Sequence, residues 1–384
     1  MKWTLSKSIG NDKALANFIA AFFLFQSLNL FVKNGLGGFA HWELLSRGIL
    51  GALMAVALIP LLRFHAQSVL LPELSMAALF LFSGLYGFAE ERLFPVAVNV
   101  CFAFLPLGIA AYHVKNYQIL LDRLYWVSLL GQIVLAALAL WPAYGARYSL
   151  PFGYAMLFWM LIALDRFCAM WKWWDLVMAL VDGIFILFYG SRGPIACFFV
   201  FVAIKIFCTH GISRKRRIGV IFFALCGAFL FYCWYQDILF YLMEEGKKLG
   251  FASRTIQKIL LAGTITADSG RGELLRYYLD RLDERPWVGF GLAGGWKGDG
   301  HYPHNIGIEL LYSLGYPAGI CLLVMCFVTL LKGITKGDTA AQRTVHIFAS
   351  AAVMLLLSSS FLLSPLFFLC MGVCLHRAYD DCAT

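Results

Sequence analysis

Ala14–Val32 reads ALANFIAAFFLFQSLNLFV, nineteen residues without a charge. Lipid offers no partners to bare peptide groups, so a chain crosses the hydrocarbon core as a helix of about 20 mostly apolar residues. This run has that length and that composition. The rest of the chain repeats the pattern. Hydrophobic residues make up 61% of the 384 and charged residues 14%, against about 25% charged in soluble domains, and the mean hydropathy is +0.75. The expected fold is all-α: a polytopic integral membrane protein of about twelve transmembrane helices with one long extracytoplasmic loop. Working outward, spans are expected at Ala14–Val32, Gly48–Leu62, Val69–Phe88, Phe94–Tyr112, Leu124–Trp141, Leu150–Leu164, Trp173–Tyr189, Pro194–Thr209 and Ile218–Tyr235. Three more follow at Asn305–Leu331, Val345–Ser358 and Phe361–Leu375. The last two read either as one tilted helix or as a hairpin, and Ser358, Ser359, Ser360 and Pro365 favour the hairpin.

Lys and Arg set the orientation, because cytoplasmic segments carry them in excess. With the N-terminus inside, the inner segments hold Lys2, Lys7, Lys13, Arg63, Lys115, Arg123, Arg166 and Lys172. They also hold Arg214, Lys215, Arg216, Arg217, Lys332, Lys336, Arg343 and Arg377. The short outer connections keep only Lys33, Arg47, Arg92, Arg147 and Arg192. Both termini are then cytoplasmic, and Gln236–His304 forms the one long loop outside. The chain reads as a single membrane domain over 1–384, divided into first helices (14–235), loop (236–304) and last helices (305–375). The net charge of +9 is this topological bias and not a nucleic-acid footprint. The eleven cysteines lie nearly all in predicted spans with no CxxC pair, which reads as apolar packing and not as disulfides or zinc. The first apolar run is of full spanning length without a small-residue cleavage site, so it is expected to be a retained helix.

Three places put polar groups where an apolar protein has no need of them. At Tyr189-Gly190-Ser191-Arg192-Gly193-Pro194, Pro194 suits the first turn of a helix. Arg192 then sits beside a helix N-terminus, which favours anions; the plainer alternative is that it snorkels to the interface. Asp268-Ser269-Gly270-Arg271-Gly272-Glu273 leads into a helix capped by Asp268 or Ser269 and stopped before Pro286. Arg271, Leu275, Tyr278 and Leu282 share its apolar face, and Arg276, Asp280, Arg281, Asp283 and Glu284 make up the charged one. A cation in the first turn opposes the helix dipole unless an anion binds there. Tyr302-Pro303-His304-Asn305, with Glu309 beyond, brings a histidine to the top of a membrane helix. Histidine exchanges protons near neutral pH and suits a general base. The alternatives are an idle interfacial histidine or a metal site from Asp299, His301 and His304, whose spacing is irregular.

Other features read more plainly. Gly289-Phe290-Gly291-Leu292-Ala293-Gly294 matches GxGxxG but lacks the βαβ context of a dinucleotide site. It reads as a turn that lets backbone approach closely. Gly315 and Gly319 flank Pro317, which points to close packing or a bend. Asp182, within a span, either orients Arg192 or bonds a neighbouring helix. Lys205 is expected to snorkel, and Ile238–Met243 and Ile256–Leu261 suit helices lying on the membrane surface.

Taken together, Gly190-Ser191-Arg192-Gly193, Ser269-Gly270-Arg271, Pro286-Trp287-Val288-Gly289-Phe290-Gly291 and His304-Asn305-Ile306-Gly307-Ile308-Glu309-Leu310-Leu311, then Gly315, resemble the O-antigen ligase and polymerase superfamily. The resemblance covers about Gly190–Gly319, a third of the chain. It implies a GT-C-like, inverting glycosyltransferase of the bacterial inner membrane, with no metal or other cofactor. The implied donor is a glycan on undecaprenyl diphosphate and the acceptor a glycan or lipid-linked acceptor, with membrane lipids, a chain-length regulator and a flippase as further partners. Arg192 and Arg271 would hold the diphosphate and His304 would act at the acceptor hydroxyl. Asn305, Glu309, Arg276 and Gly291 complete the expected substrate-binding set. Gly-Ser-Arg-Gly-Pro and Tyr148-Ser149-Leu150-Pro151-Phe152-Gly153-Tyr154 look more like capsule and exopolysaccharide polymerases than like ligases that move a finished glycan to lipid A core. A lipid-linked sugar flippase is the reading from another class, but paired midmembrane charges and repeat symmetry are missing from the sequence.

Overall fold

The computed structural model describes residues 2–36, 41–85, 93–141, 149–208, 218, 233–234, 236–248, 253, 256–257, 260, 271–294, 296, 302–335 and 339–379. Among them every regular element is helical. The chain runs through α1 (Lys2–Gly35), α2 (Trp42–Ser83), α3 (Leu93–Asn99), a π-helical turn (Val100–Phe104), α4 (Leu105–His113), α5 (Tyr117–Ala139), α6 (Leu150–Met170), α7 (Trp173–Tyr189) and α8 (Arg192–Cys208). Then come α9 (Arg271–Leu282), α10 (Ile306–Thr335), α11 (Thr339–Ala352), α12 (Met354–Leu357) and α13 (Pro365–Tyr379). Eight helical stretches among the described residues are long and apolar enough to cross a membrane. This is a polytopic membrane protein.

The expected spans Gly48–Leu62 and Val69–Phe88 are not separate helices. Residues 86–88 lie outside the described residues, but the first span and the second up to Ser83 fall in α2, which runs 42 residues and holds two apolar windows, Leu45–Arg63 and Ala66–Ser83. Arg63-Phe64-His65-Ala66-Gln67 between them has no glycine or proline to stop a helix that is already propagating. The end of the chain does form a hairpin, since residues 358–364 interrupt the helix between α12 and α13. Ile218–Tyr235 lies outside the described residues apart from Ile218, Cys233 and Trp234.

α1 and α5 run parallel. The Asp12 carboxylate accepts from Lys115 N and Asn116 N, each at 3.2 Å, at one end, and Gly35 meets Leu138 at the other. α6 starts and α7 finishes at this second end, where Tyr189 Oη donates to Ala139 O (2.7 Å) and Ser149 N donates to Tyr189 O (2.9 Å). Trp159 on α6 fills the space above Gly131 of α5, where a Cβ would lie 2.5 Å from the indole. Its N–H donates to Ser27 Oγ of α1 at 3.0 Å, so one side chain knits three helices.

The first end holds a cluster of buried charges. Asp165, only 2% exposed, pairs with Lys205 of α8 and with Arg343 of α11 at 2.7 Å. Lys205 therefore does not snorkel, because a buried carboxylate needs its charge compensated where it stands. Asp175 accepts from Tyr125 Oη at 2.9 Å and lies 3.6 Å from Arg166, whose guanidinium stacks 3.2 Å above the Tyr125 ring.

Candidate active site

The second end carries His304. It lies two residues before α10 with φ +54°, a left-handed conformation that histidine visits more readily than bulky or branched residues. The following residue holds it there. Asn305 Oδ1 accepts from Gly307 N (2.9 Å) and Ile308 N (3.3 Å), capping α10, and Asn305 Nδ2 donates to Leu356 O (3.3 Å). Four residues on, Glu309 is 2% exposed. It accepts from the Ser360 hydroxyl and from Phe361 N at 3.2 Å. Asn305 and Glu309, both expected at the substrate, are thus engaged in holding α10 to the 356–361 segment.

Ser358 is the hub. Its carbonyl accepts from Tyr302 Oη and lies 3.3 Å from His304 Nδ1, while its hydroxyl bonds Tyr154 Oη of α6. A carbonyl only accepts, so Nδ1 carries the proton, and a neutral imidazole then has its lone pair on Nε2. Tyr302 packs on the His304 ring with centroids 4.2 Å apart. Behind them is a cavity of about 350 Å³, lined among others by Gln26, Ser27, Tyr154, Trp159, Tyr302 and Ser358.

Arg192 opens α8, as the sequence suggested, and its neighbour ties this helix start to the hub. A Cβ on Gly193 would lie 2.0 Å from Tyr154 Oη and 3.5 Å from Ser358 Oγ, so only glycine lets α8 approach. Pro194 at the third helical position has no N–H for a cap to bond. The preceding Ser191 hydroxyl is buried and has no hydrogen-bond partner. Compared with family models and with curated proteins, the sequence matches none.

α9 begins at Arg271, of which the backbone alone is described; Asp268 and Ser269 lie outside the described residues. Its apolar face docks as expected. Tyr278 and Leu282 are fully buried against Phe290 and Tyr312, and burial of each side chain contributes about 1.5–3 kcal/mol. Arg276 is exposed on the opposite face. Arg281, expected on that charged face, instead turns over the Phe290 ring (4.9 Å) and donates to Tyr277 Oη (3.0 Å).

The Pro286–Gly291 stretch is a strap laid into α10. Gly315 breaks that helix with φ 77° and ψ 171°, freeing carbonyls of the preceding turn. Phe290 N donates to Tyr312 O (2.8 Å) and Gly291 N to Ser313 O (2.9 Å), and Tyr316 N donates to Pro286 O (2.7 Å). Gly291 (φ +82°) also lies against Ser83, where a Cβ would come within 2.9 Å. Its backbone thus approaches closely, as the glycine pattern suggested, with protein on the other side.

Asp182 accepts from Gln132 Nε2 of α5 at 2.7 Å, the helix-bonding alternative. Asp299 and His301 lie outside the described residues. Ile238–Met243 falls in a helical segment, 236–248, that buries Leu239 against Phe188 and Ile256 and exposes Ile238, Phe240 and Tyr241. Sequence reading missed the hub itself. Its signal was the Ser358-Ser359-Ser360 triplet, three hydroxyls between apolar runs that must find partners if lipid surrounds them.

Proposed function

We propose that this protein is a polysaccharide polymerase that joins undecaprenyl-diphosphate-linked oligosaccharide repeat units by metal-independent, inverting glycosyl transfer. The observation that carries the reading is the His304 Nδ1 contact with Ser358 O, a residue whose hydroxyl reaches the start of α8 through Tyr154 and Gly193. His304 Nε2 takes the proton of an acceptor hydroxyl, and the acceptor oxygen forms the new bond to the anomeric carbon. The bond from that carbon to the diphosphate breaks, and the leaving diphosphate keeps the electron pair. Arg192, the N-terminus of α8 and the unpartnered Ser191 hydroxyl suit that anion, and Arg271 is the second cation the reading assigns to it.

A GT-C-like architecture and an inner-membrane location with both termini cytoplasmic belong to the same reading. It is supported by Lys13, Lys115, Arg166, Lys205, Lys332 and Arg343 lying toward the end opposite His304, since basic residues mark the cytoplasmic side.

The test uses purified protein with undecaprenyl-diphosphate oligosaccharide. Arg192→Ala and Arg271→Ala should each slow polymer formation roughly a hundred- to thousandfold, and lysine should restore only part of the rate, since a point charge cannot replace the guanidinium fork. Normal donor binding and rate in both alanine variants would move the diphosphate site elsewhere. Transfer only to a lipid A core acceptor, with no lengthening of the donor glycan, would make the protein a ligase.

A further inference from the structure

Tyr302, which packs on His304, also lines the cavity of about 350 Å³, and the chemistry above gives that space no task. Its size is that of a small-molecule site. Its polar groups come from α1, α6, Tyr302 itself and the hairpin between α12 and α13.

The lining is aromatic and polar without being charged. Phe23 stacks on Phe158 with centroids 4.0 Å apart, and Trp159 stands edge-on to Phe23. Gln26, Ser359 and Ser364 lie beside these rings, and no Lys, Arg, His, Asp or Glu lines the space. Two of the polar groups keep capacity for a guest. Gln26 stands within the uncharged run of α1, where a bare amide is costly, and no described residue hydrogen-bonds its side chain. The Ser364 hydroxyl, 3% exposed, accepts from Leu366 N at 3.3 Å and has no acceptor for its own proton among the described residues. Ser27 and Trp159, by contrast, are engaged with each other at 3.0 Å.

This chemistry selects its ligand. A diphosphate needs cations, and a divalent metal needs carboxylates or imidazoles. A lipid chain would fill the aromatic part but leave the Gln26 amide and the Ser364 proton bare. A sugar ring meets both demands. Its hydroxyls donate to and accept from an amide and a serine, and its C–H face offers positive charge to the negative face of an aromatic ring.

We propose that this cavity is the subsite for an uncharged sugar ring of the acceptor glycan, hydrogen-bonded by Gln26 and Ser364. Its assignment to the acceptor rests on the glycosyltransferase reading, through the packing of Tyr302 on His304; the sugar class rests on the lining alone.

The experiment is titration calorimetry of the full-length protein in phospholipid nanodiscs, free of glycoside detergents. The probe is the repeat-unit oligosaccharide released from its undecaprenyl diphosphate by mild acid, so it carries neither lipid nor phosphate. Wild type should bind it. Gln26→Leu keeps the bulk and suits an apolar span, so it should melt no lower than wild type while binding about tenfold more weakly. In polymer formation it should raise KM more than it lowers kcat. Ala155→Leu, which puts bulk into the cavity, should abolish binding and checks the site without removing a polar group. No binding by wild type, or wild-type affinity in both variants, overturns the proposal. Binding of glycan-free undecaprenyl diphosphate that is lost in Ala155→Leu would give the cavity to the polyprenyl chain and overturn it equally. Oligosaccharide binding that weakens in Gln26→Leu, in a protein whose wild type makes no polymer, would keep the sugar subsite and refute the glycosyltransferase reading. Polymer formation at wild-type kcat and KM in Gln26→Leu would keep that reading and remove the subsite.

Discussion

Gly315→Ala is the most telling single change in the scaffold. Gly315 has φ 77° and ψ 171°, a region essentially restricted to glycine, where another residue costs about 1–3 kcal/mol. A methyl group there would also lie 2.5 Å from Trp287 C, 2.6 Å from Trp287 O and 2.7 Å from Val288 N. These are backbone atoms, so the strap has to lift. With it go the hydrogen bonds at Phe290 N, Gly291 N and Tyr316 N, each of net value about 0.5–1.5 kcal/mol. The low end of these ranges is about 2.5 kcal/mol, a change of roughly sixtyfold in the opening equilibrium. Hydrogen exchange at those three amides measures it directly. They should exchange about sixty times faster in the variant, with α5 and α6 unaffected. Gly51→Ala is the control: nothing lies within 4 Å of a Cβ there, and the substitution should be neutral or stabilise by about 0.5–1 kcal/mol. Unchanged protection at Phe290, Gly291 and Tyr316 would refute the strap.

At the other end of the bundle, Asp165→Ala strips Lys205 and Arg343 of a shared, buried counter-charge. It should destabilise by about 3–5 kcal/mol, read as a lowered melting temperature in detergent; melting at the wild-type temperature would mean the cluster contributes nothing. Gly193→Ala should displace Tyr154 from Ser358, since the new methyl would lie 2.0 Å from its hydroxyl, and should slow polymer formation without lowering the amount of protein in the membrane. Wild-type turnover there would detach α8 from the hub. A cysteine at position 298, in a background without accessible native cysteines, should react with an impermeant thiol reagent in intact cells. Labelling only after lysis would turn the molecule over and end the extracytoplasmic reading.

The helices were legible because lipid imposes one rule on every span, and the hairpin at Ser358–Pro365 and the bend at Gly315 followed from residues that interrupt helices. α2 was misread as two helices because hydropathy reports where apolar windows end, and a few polar residues without glycine or proline do not end a helix. His304 and Arg192 stood out as polar groups at helix starts, which is local information. The partners that define His304 did not. Ser358 is 54 residues away in sequence and acts through its backbone carbonyl, a group every residue has. Lys205 was misjudged for the same reason, since its partner Asp165 is 40 residues distant and the pairing exists only once α6 and α8 are side by side.

The role of His304 as base is the central claim, and turnover of a single variant tests it. Reconstituted His304→Ala should bind undecaprenyl-diphosphate oligosaccharide with an affinity close to wild type and form polymer at least roughly a hundredfold more slowly. His304→Ala that reaches the membrane in normal amounts and polymerises at the wild-type rate would contradict the account.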